Sequence, residues 1–389
     1  MLPRCRIEPE VLEWARTSIR LDIADAARRA RVLPDTLAQW EASGATLAFT
    51  KMEMLAQAYR VPVAALLFPT KPTEAPLPVD RRTLPNKAGY NVTTATILAV
   101  MFARSVQSAS LELADLTGAL SPLLPQIGSG ESACAAAERV RGLLGVSIPE
   151  QRAFRKASVA MREWSRALEA IGVYVLHRSW PIHEGRAFSI GGIRPVIVLN
   201  DADEDVAQVF SLFHELCHIL RGEESLCDAA YSGYDEADRR VEVFCNAFAG
   251  ELLVPPHDLI EHPSVAAHQG SEWSDSSLHR IALDFAVSRE TVLRRLLTQG
   301  LTTPTVYERE RERLQGEYDE YVARTALRRK STKSKGGPPW PDRVVHSRGT
   351  RFSAEVVAAH SAGLISSFEA GGYLGTTPRH LPGIRELLS

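Results

Sequence analysis

The pentapeptide His-Glu-Leu-Cys-His at positions 214–218 lies inside a stretch whose apolar residues recur at helical spacing. This spacing predicts one helix over residues 203–221, with one side facing a core. The predicted core side consists of Val206, Val209, Phe210, Phe213, Leu216 and Leu220. Asp201 and Asp203 are placed to cap the start of this helix, and Gly222 follows its end.

His214 and His218 are four residues apart, so their imidazoles leave the same helix face one turn apart. Two imidazoles at this spacing can bind one divalent metal, and zinc suits them best. Glu215 is placed to act as a general base toward a water at that metal. Ser211 and Ala207, one and two turns earlier, are small and leave room for a metal and a substrate. The alternative is an exposed helix face that carries two histidines without a metal.

A third ligand would come from a second predicted helix, residues 235–254, whose apolar residues also recur at helical spacing. Glu242 lies 24 positions after His218 and can complete a site of two histidines and one glutamate. Asn246 shares a face with Glu242 and, by accepting a hydrogen bond from a ligand imidazole, would fix the tautomer of that ring. A glutamate on a helix is ordinarily a solvated charge, so this assignment depends on the whole set. We expect one zinc ion per chain.

Bulk properties exclude several classes of protein. A chain of 389 residues is expected to form two or three domains. A net charge of −2 creates no overall basic field for nucleic acid, and the N-terminus lacks the apolar core of a signal peptide. No apolar run approaches the length that crosses a bilayer, so we expect no membrane association. The 5 cysteines include no Cys-x-x-Cys pair, which favours a reducing cytoplasm over a disulfide framework or a thiolate zinc cluster.

The N-terminal stretch, residues 1–70, is predicted to be a run of five short helices. Two of them, 22–30 and 36–42, are joined by a tight turn at 31–35, which is the plan of a helix-turn-helix. The stretch holds nine Lys or Arg against eight Asp or Glu, so a single copy would bind DNA only weakly. The alternative is a helical module that docks a protein.

Residues 71–164 are predicted to be a proline-rich linker followed by helical spacer segments at 93–120, 133–144 and 149–171. Three strands follow, at 172–176, 187–190 and 194–200. Pro195 is consistent with an edge position for the third strand, where a peptide substrate would add as a further strand. The alternative is that this strand is a plain core strand.

The segments 196–200, 213–220, 242–249 and 252–255, taken together, resemble the ImmA/IrrE family of metallopeptidases over residues 165–300. The resemblance implies a zincin-like, gluzincin-type domain with zinc ligands His214, His218 and Glu242 and catalytic base Glu215. It further implies a zinc-dependent endopeptidase that cleaves a specific protein, a transcriptional repressor, in a bacterial or phage stress, defence or toxin–antitoxin setting. Its partner would be that protein substrate, or a cognate regulator or toxin from a neighbouring gene.

The segments 26–28, 37–41, 52–56 and 59–62 resemble the XRE-type, lambda-repressor-like helix-turn-helix that members of this family often carry in front. The resemblance implies that Thr36 and Gln39 face bases and that Arg28 and Lys51 face phosphates of operator DNA. The alternative function is a DNA-binding regulator or antitoxin-like protein whose zinc site is structural or inactive. A homodimer is a further open alternative.

The remaining stretches carry weaker signals. Residues 274–299 again have a helix-turn-helix pattern, which we interpret as packing or substrate-docking structure, with DNA contact as the alternative. Residues 301–341 are predicted to be a solvated helix of alternating charge and a basic linker, and 342–389 a small helical unit. Candidate oxyanion donors, by proximity in sequence alone, are Tyr231, Tyr234, Arg239 and His257. Cys217 and Cys245 make the site redox-sensitive or are simply small buried residues. The fold class predicted from these features is α+β, mostly helical.

Overall fold

The computed structural model describes residues 4–72, 93–128, 130–222, 225–227, 236–331 and 337–389. The chain is mostly helical with a small sheet, as the sequence predicts. It divides into two compact units. Unit 1 comprises Met1–Leu77 and Asn91–Val100, and unit 2 comprises Pro78–Tyr90 and Met101–Ser389.

Unit 1 combines short helices with a two-stranded antiparallel ribbon. Its elements are β1 (Arg4–Ile7), α1 (Pro9–Thr17), α2 (Ile23–Ala30), α3 (Pro34–Ser43), β2 (Ala45–Ala48), α4 (Phe49–Tyr59) and a 3-10 turn (Val63–Leu67). The helices and the 3-10 turn correspond to the predicted helices. The pairing of β1 with β2 was not predicted, because strands of four residues are too short to show a clear alternation.

Packing inside unit 1 follows the apolar spacing. Leu12, Leu37 and Tyr59 are fully buried. The guanidinium of Arg16 makes two hydrogen bonds with the carboxylate of Glu41, at 2.8 and 2.9 Å, which join α1 to α3.

Helix α5 (Thr94–Thr117) begins in unit 1 and continues in unit 2. Within the described ranges it is the one helix long and apolar enough to cross a membrane, with a hydropathy of 1.2 over its best window. The prediction that no apolar run approaches the length that crosses a bilayer is therefore wrong for α5. Length and composition alone are weak grounds for a membrane span, and 50% of that window is buried inside the protein.

Unit 2 holds a mixed sheet surrounded by helices. In chain order, its elements from residue 133 to residue 266 are α6 (Ala133–Leu144), α7 (Ile148–Ala153), α8 (Ala157–Ala170), β3 (Tyr174–Arg178), β4 (Ala187–Ile190), β5 (Val196–Asn200), α9 (Asp205–Leu220), β6 (Ser225–Cys227), α10 (Glu236–Leu253), α11 (Pro256–Ile260) and α12 (Pro263–Ala266). The later elements are α13 (Asp275–Phe285), α14 (Arg289–Thr298), α15 (Pro304–Ser331), α16 (Trp340–Arg348), α17 (Thr350–Ser361), α18 (Ser367–Leu374) and α19 (Leu381–Leu388). The single helix predicted over 149–171 is in fact two helices, because Arg155 adopts the left-handed conformation, with φ of 56°.

The sheet has the strand order β3-β5-β4-β6, in which β3 and β5 are parallel and the other pairs are antiparallel. Strand β5 therefore lies in the interior of the sheet, so of the two alternatives that the sequence left open, an edge strand or a plain core strand, the structure has the core strand. All five of its residues are buried, which is the pattern of a strand covered on both faces. Pro195 is compatible with this position because it precedes the strand, and its carbonyl accepts the N–H of Tyr174 at 2.9 Å.

Helix α9 packs against β4 and β5 on one side and against α8 and α10 on the other. Trp164 of α8 and Phe213 of α9 meet edge to face, with ring centroids 4.9 Å apart. Helix α10 packs against α6 as well as α9. Because both helices are held by this core, side chains that face each other between them have defined positions.

Helices α15, α16 and α17 pack more closely against the rest of unit 2 than the sequence suggests. The prediction of a solvated helix within residues 301–341 was wrong for one face of α15, where Val306, Tyr307 and Leu314 are buried. Helices α16 and α17 contact β3, so the C-terminal helices pack beside that outer strand of the sheet.

Candidate metal centre

The motif histidines lie in the middle of α9, where the helix is most deeply buried. His214 and His218 are 7% and 0% exposed, and Glu215 is 1% exposed. Three polar side chains at such depth cost free energy unless each has a partner. The helix starts after Glu204, and the side chain of Asp203 accepts the N–H of Glu204.

Helix α10 brings Glu242 to the two histidines. The Nε2 atoms of His214 and His218 are 3.1 Å apart. The Nε2 of His214 is 3.2 Å from Oε2 of Glu242, and the Nε2 of His218 is 3.3 Å from Oε1. Zinc bonds of about 2.0–2.1 Å in a tetrahedron separate ligand atoms by roughly 3.4 Å. The three side chains therefore fit one zinc ion with little rearrangement, and the sequence had selected all three.

The ionisation state of Glu242 is also the one that a metal ligand needs. Burial opposes ionisation of this carboxyl, but hydrogen bonds with His214 and His218 outweigh that cost and hold its pKa well below the ordinary range. Glu242 is thus a carboxylate in the folded protein, which is the form that binds metal.

The ligand-bearing face of α9 opens into a cavity of about 740 Å³. Glu215 lines this cavity beside His214, so the candidate general base and one of the candidate metal ligands face the same space. Ala207 and Ser211 line it too, as their small size led us to expect.

Sequence reasoning missed the opposite wall of this cavity, which α15 provides. Leu314, Tyr318 and Tyr321 of α15 line the space, and the hydroxyl of Tyr318 donates to Asp203 at 2.6 Å. A signal was present, because positions 307, 314, 318 and 321 recur at intervals of 7, 4 and 3 among charged residues. Further lining residues carry charges of both signs, among them Arg186, Glu204, Arg289, Glu290, Arg294, Arg311, Glu317, Glu320 and Arg324.

Asn246 lies on the same helix as Glu242 and lines the cavity. Its amide nitrogen donates to the backbone carbonyl of Glu242 at 2.8 Å. This bond holds the side chain back along its own helix. The predicted role of Asn246 in fixing the tautomer of an imidazole stays a prediction.

Cys217 and Cys245 meet beside the centre, on α9 and α10. Both are fully buried and unoxidised. Burial raises the pKa of the Cys245 thiol, but the hydrogen bond with Cys217 and the nearby His218 outweigh it and lower the pKa to about 6. Cys217 and Cys245 are therefore both buried and close to the candidate ligands, as the sequence suggested.

The candidate oxyanion donors divide into two groups. Tyr231 and Tyr234 lie outside the described residues. Arg239 is exposed, and His257 is exposed and lies 3.3 Å from Glu261 in an ion pair on α11. Neither of these two side chains is part of the cavity lining.

In unit 1, the four residues proposed for DNA lie on three helices. Thr36 and Gln39 are one turn apart on α3, where Gln39 is exposed and Thr36 half-buried. Arg28 of α2 is exposed and pairs with Asp25 at 2.5 Å. The ammonium of Lys51 on α4 lies 3.5 Å from a backbone carbonyl in the turn after α2. Both proposed phosphate contacts thus have partners within the protein, and all four assignments stay predictions.

Residues 168–297 match the family model described as the IrrE N-terminal-like domain, peptidase family M78. The match covers about a third of the 389 residues and includes α9 and α10, which carry the candidate ligands. It supports an ImmA/IrrE-type metallopeptidase domain in this part of the chain, and unit 1 lies outside it. No curated protein sequence matches the chain.

Proposed function

We propose that unit 2 is a zinc-dependent endopeptidase of ImmA/IrrE type that cleaves a specific regulatory protein in a bacterial or phage stress, defence or toxin–antitoxin setting. The observation that carries the proposal is the assembled triangle of His214, His218 and Glu242, whose ligand atoms lie 3.1 to 3.3 Å apart. His214 of this triangle lines, together with Glu215, a cavity large enough for a peptide segment.

Zinc, when bound, would supply Lewis acidity for the attacking water and the scissile carbonyl. His214, His218 and Glu242 would hold it and leave a fourth position facing the cavity. Glu215 would take the proton from the attacking water and deliver it to the leaving amine. The apolar residues of the cavity, such as Phe210 and Leu314, would exclude water from the peptide bond.

The direct test is cleavage of the protein encoded by the neighbouring gene. We expect Glu215→Gln to lower the cleavage rate by about 100-fold or more while zinc remains bound, because it removes the base but no ligand. Glu163→Gln, on the partly exposed side of α8, is the matched control and should cleave normally. Cleavage that persists unchanged in Glu215→Gln would refute the mechanism.

The second candidate function is a DNA-binding regulator whose zinc site is structural. The observation in its favour is the exposed Gln39 on α3, which follows the tight turn after α2. If operator DNA binds here, Gln39→Ala should weaken binding in a gel shift, whereas Gln57→Ala, an exposed glutamine of α4, should not. Normal DNA binding by Glu215→Gln, with no cleavage by the wild-type protein, would favour this function over the peptidase.

A further inference from the structure

A second group of metal-ligand side chains lies away from the peptidase-like centre. It consists of His177 of β3, Asp201 just after β5, and His346 of α16. The Nδ1 of His177 is 3.3 Å from Oδ1 of Asp201, and the Nε2 of His346 is 3.0 Å from the same oxygen. All three ligand atoms lie within 4.8 Å of one another.

His177 is the least satisfied member of this group. Its side chain is only 10% exposed, and its Nδ1 is buried without a hydrogen bond of acceptable geometry, although Asp201 lies close by. A buried ring nitrogen in this position costs free energy, and a bound cation would relieve that cost.

The protonation of His177 and Asp201 suits a cation as well. Burial lowers the pKa of His177, so its ring is neutral and offers a lone pair at neutral pH. Burial opposes ionisation of Asp201, but the two histidines that face it outweigh that cost and lower the pKa of this carboxyl. The hydrogen bond with Asp201 raises the pKa of His346, so metal binding here would release a proton from that ring.

We propose that His177, Asp201 and His346 form a second divalent-metal site, of the class that zinc occupies, which fastens α16 to the sheet. Two of the ligand pairs already have the separation of about 3.4 Å that a tetrahedral zinc requires. His177, Asp201 and His346 all line a surface cavity that Asp205 also lines, from which water would complete the coordination.

Binding requires one local movement. The two imidazoles are stacked, with centroids 4.2 Å apart and planes 26° from parallel, so a metal cannot lie in both ring planes at once. His346 is 55% exposed and can turn about its side-chain torsions into a position that brings its Nε2 to the metal. His177 and Asp201 are held by adjacent strands and need not move.

The consequence of this site would be structural. His346 lies 145 positions after Asp201, so one ion would cross-link distant parts of unit 2. The cross-link would hold α16 against β3, which it already contacts. This proposal does not depend on peptidase activity.

The test is the number of zinc ions that the purified, untagged full-length chain retains after loading with Zn²⁺ and gel filtration. We expect two per chain for the wild type and one for His346→Gln, a change at a half-exposed position that leaves the fold intact. His360→Gln, in the neighbouring helix α17, is the matched control and should retain two.

Cobalt provides a second measurement. In a His218→Ala background, which lacks the first centre, Co²⁺ should give the visible absorption of a tetrahedral nitrogen and oxygen site, and adding His346→Gln should abolish it. If wild type and His346→Gln retain the same number of zinc ions, the cluster is only a hydrogen-bonded His-Asp-His group and the proposal is wrong. The proposed function is judged by His218→Ala: if this variant loses one zinc ion, the first centre stands even where the second site is refuted.

Discussion

Glu242 illustrates what a single side chain contributes to the candidate centre. It is 1% exposed, and its two oxygens lie 3.2 and 3.3 Å from the two imidazoles. The sequence pointed to Glu242 only as part of a set, since a helix glutamate alone is ordinarily solvated. Its burial against both histidines is what distinguishes it from Glu236, the exposed glutamate at the start of the same helix.

We therefore expect Glu242→Gln to weaken zinc binding by at least about tenfold, since even residues outside the ligand set affect metal affinity by about 10–100-fold. The measurement is competition with a chromogenic chelator at constant pH. Glu236→Gln, a 90% exposed position at the start of the same helix, is the control. Equal zinc affinity in Glu242→Gln and wild type would show that Glu242 is not a ligand.

At the scale of elements, the contact between α8 and α17 depends on a buried carboxyl. Glu169, near the end of α8, is 7% exposed. It faces the start of α17, where backbone N–H groups of Thr350 and Arg351 donate to it. Gly349 has a φ of 78°, and a Cβ there would lie 2.7 Å from the Glu169 carboxylate, so the helix start accepts only glycine.

Burial raises the pKa of Glu169 to about 7, against the hydrogen bonds from α17, and its ordinary value is 4.5. The folded protein thus binds a proton that the unfolded chain releases between these two values. The stabilisation is fully present below pH 4.5 and is lost as the pH rises toward 7.

The expected size of this loss is about 3 kcal/mol, from a difference of about 2.5 pKa units at 1.36 kcal/mol each. Glu169→Gln mimics the protonated carboxyl, so it should match the wild type at pH 5 and be more stable at pH 8. Urea unfolding at both pH values measures this, with Glu163→Gln of the same helix as control. A stability difference between Glu169→Gln and wild type that does not change with pH would contradict the assignment.

One element prediction failed and one was left open, for reasons that local sequence cannot supply. The sequence allowed strand β5 to be an edge strand or a core strand; a proline directly before a strand costs no ladder hydrogen bond, and the strand is interior. Helix α15 was expected to be solvated because charges dominate it, yet Leu314 and Tyr318 form a cavity wall. In both cases the decisive fact was which other element lies alongside.

At the scale of the whole molecule, a metal at the first centre would link α9 to α10 and so couple folding to binding. We expect removal of zinc by a chelator to lower the unfolding temperature by about 5 °C or more, since saturation at 100 times Kd stabilises by about 2.7 kcal/mol. The experiment is best done with His346→Gln, so that only the first centre contributes. An unchanged unfolding temperature would mean that these ligands bind no metal that stabilises the folded protein.

The sequence by itself determined the features that depend on local geometry. The spacing of His214 and His218 puts both on one helix face, because an α-helix repeats every 3.6 residues whatever surrounds it. The same periodicity placed Glu242 on a second helix, and an unbroken apolar run marked β5 as a strand.

Only the tertiary structure decided which of these elements meet. The distances from Glu242 to the histidines, the strand order, the α15 wall of the cavity and the grouping of His177, Asp201 and His346 all join segments far apart in the chain. Such contacts depend on how apolar faces pack into a common core, and a side chain carries no local sign of its distant partner. The sequence thus identifies the helix with the two candidate ligand histidines, and the packing of unit 2 supplies the rest of the candidate site.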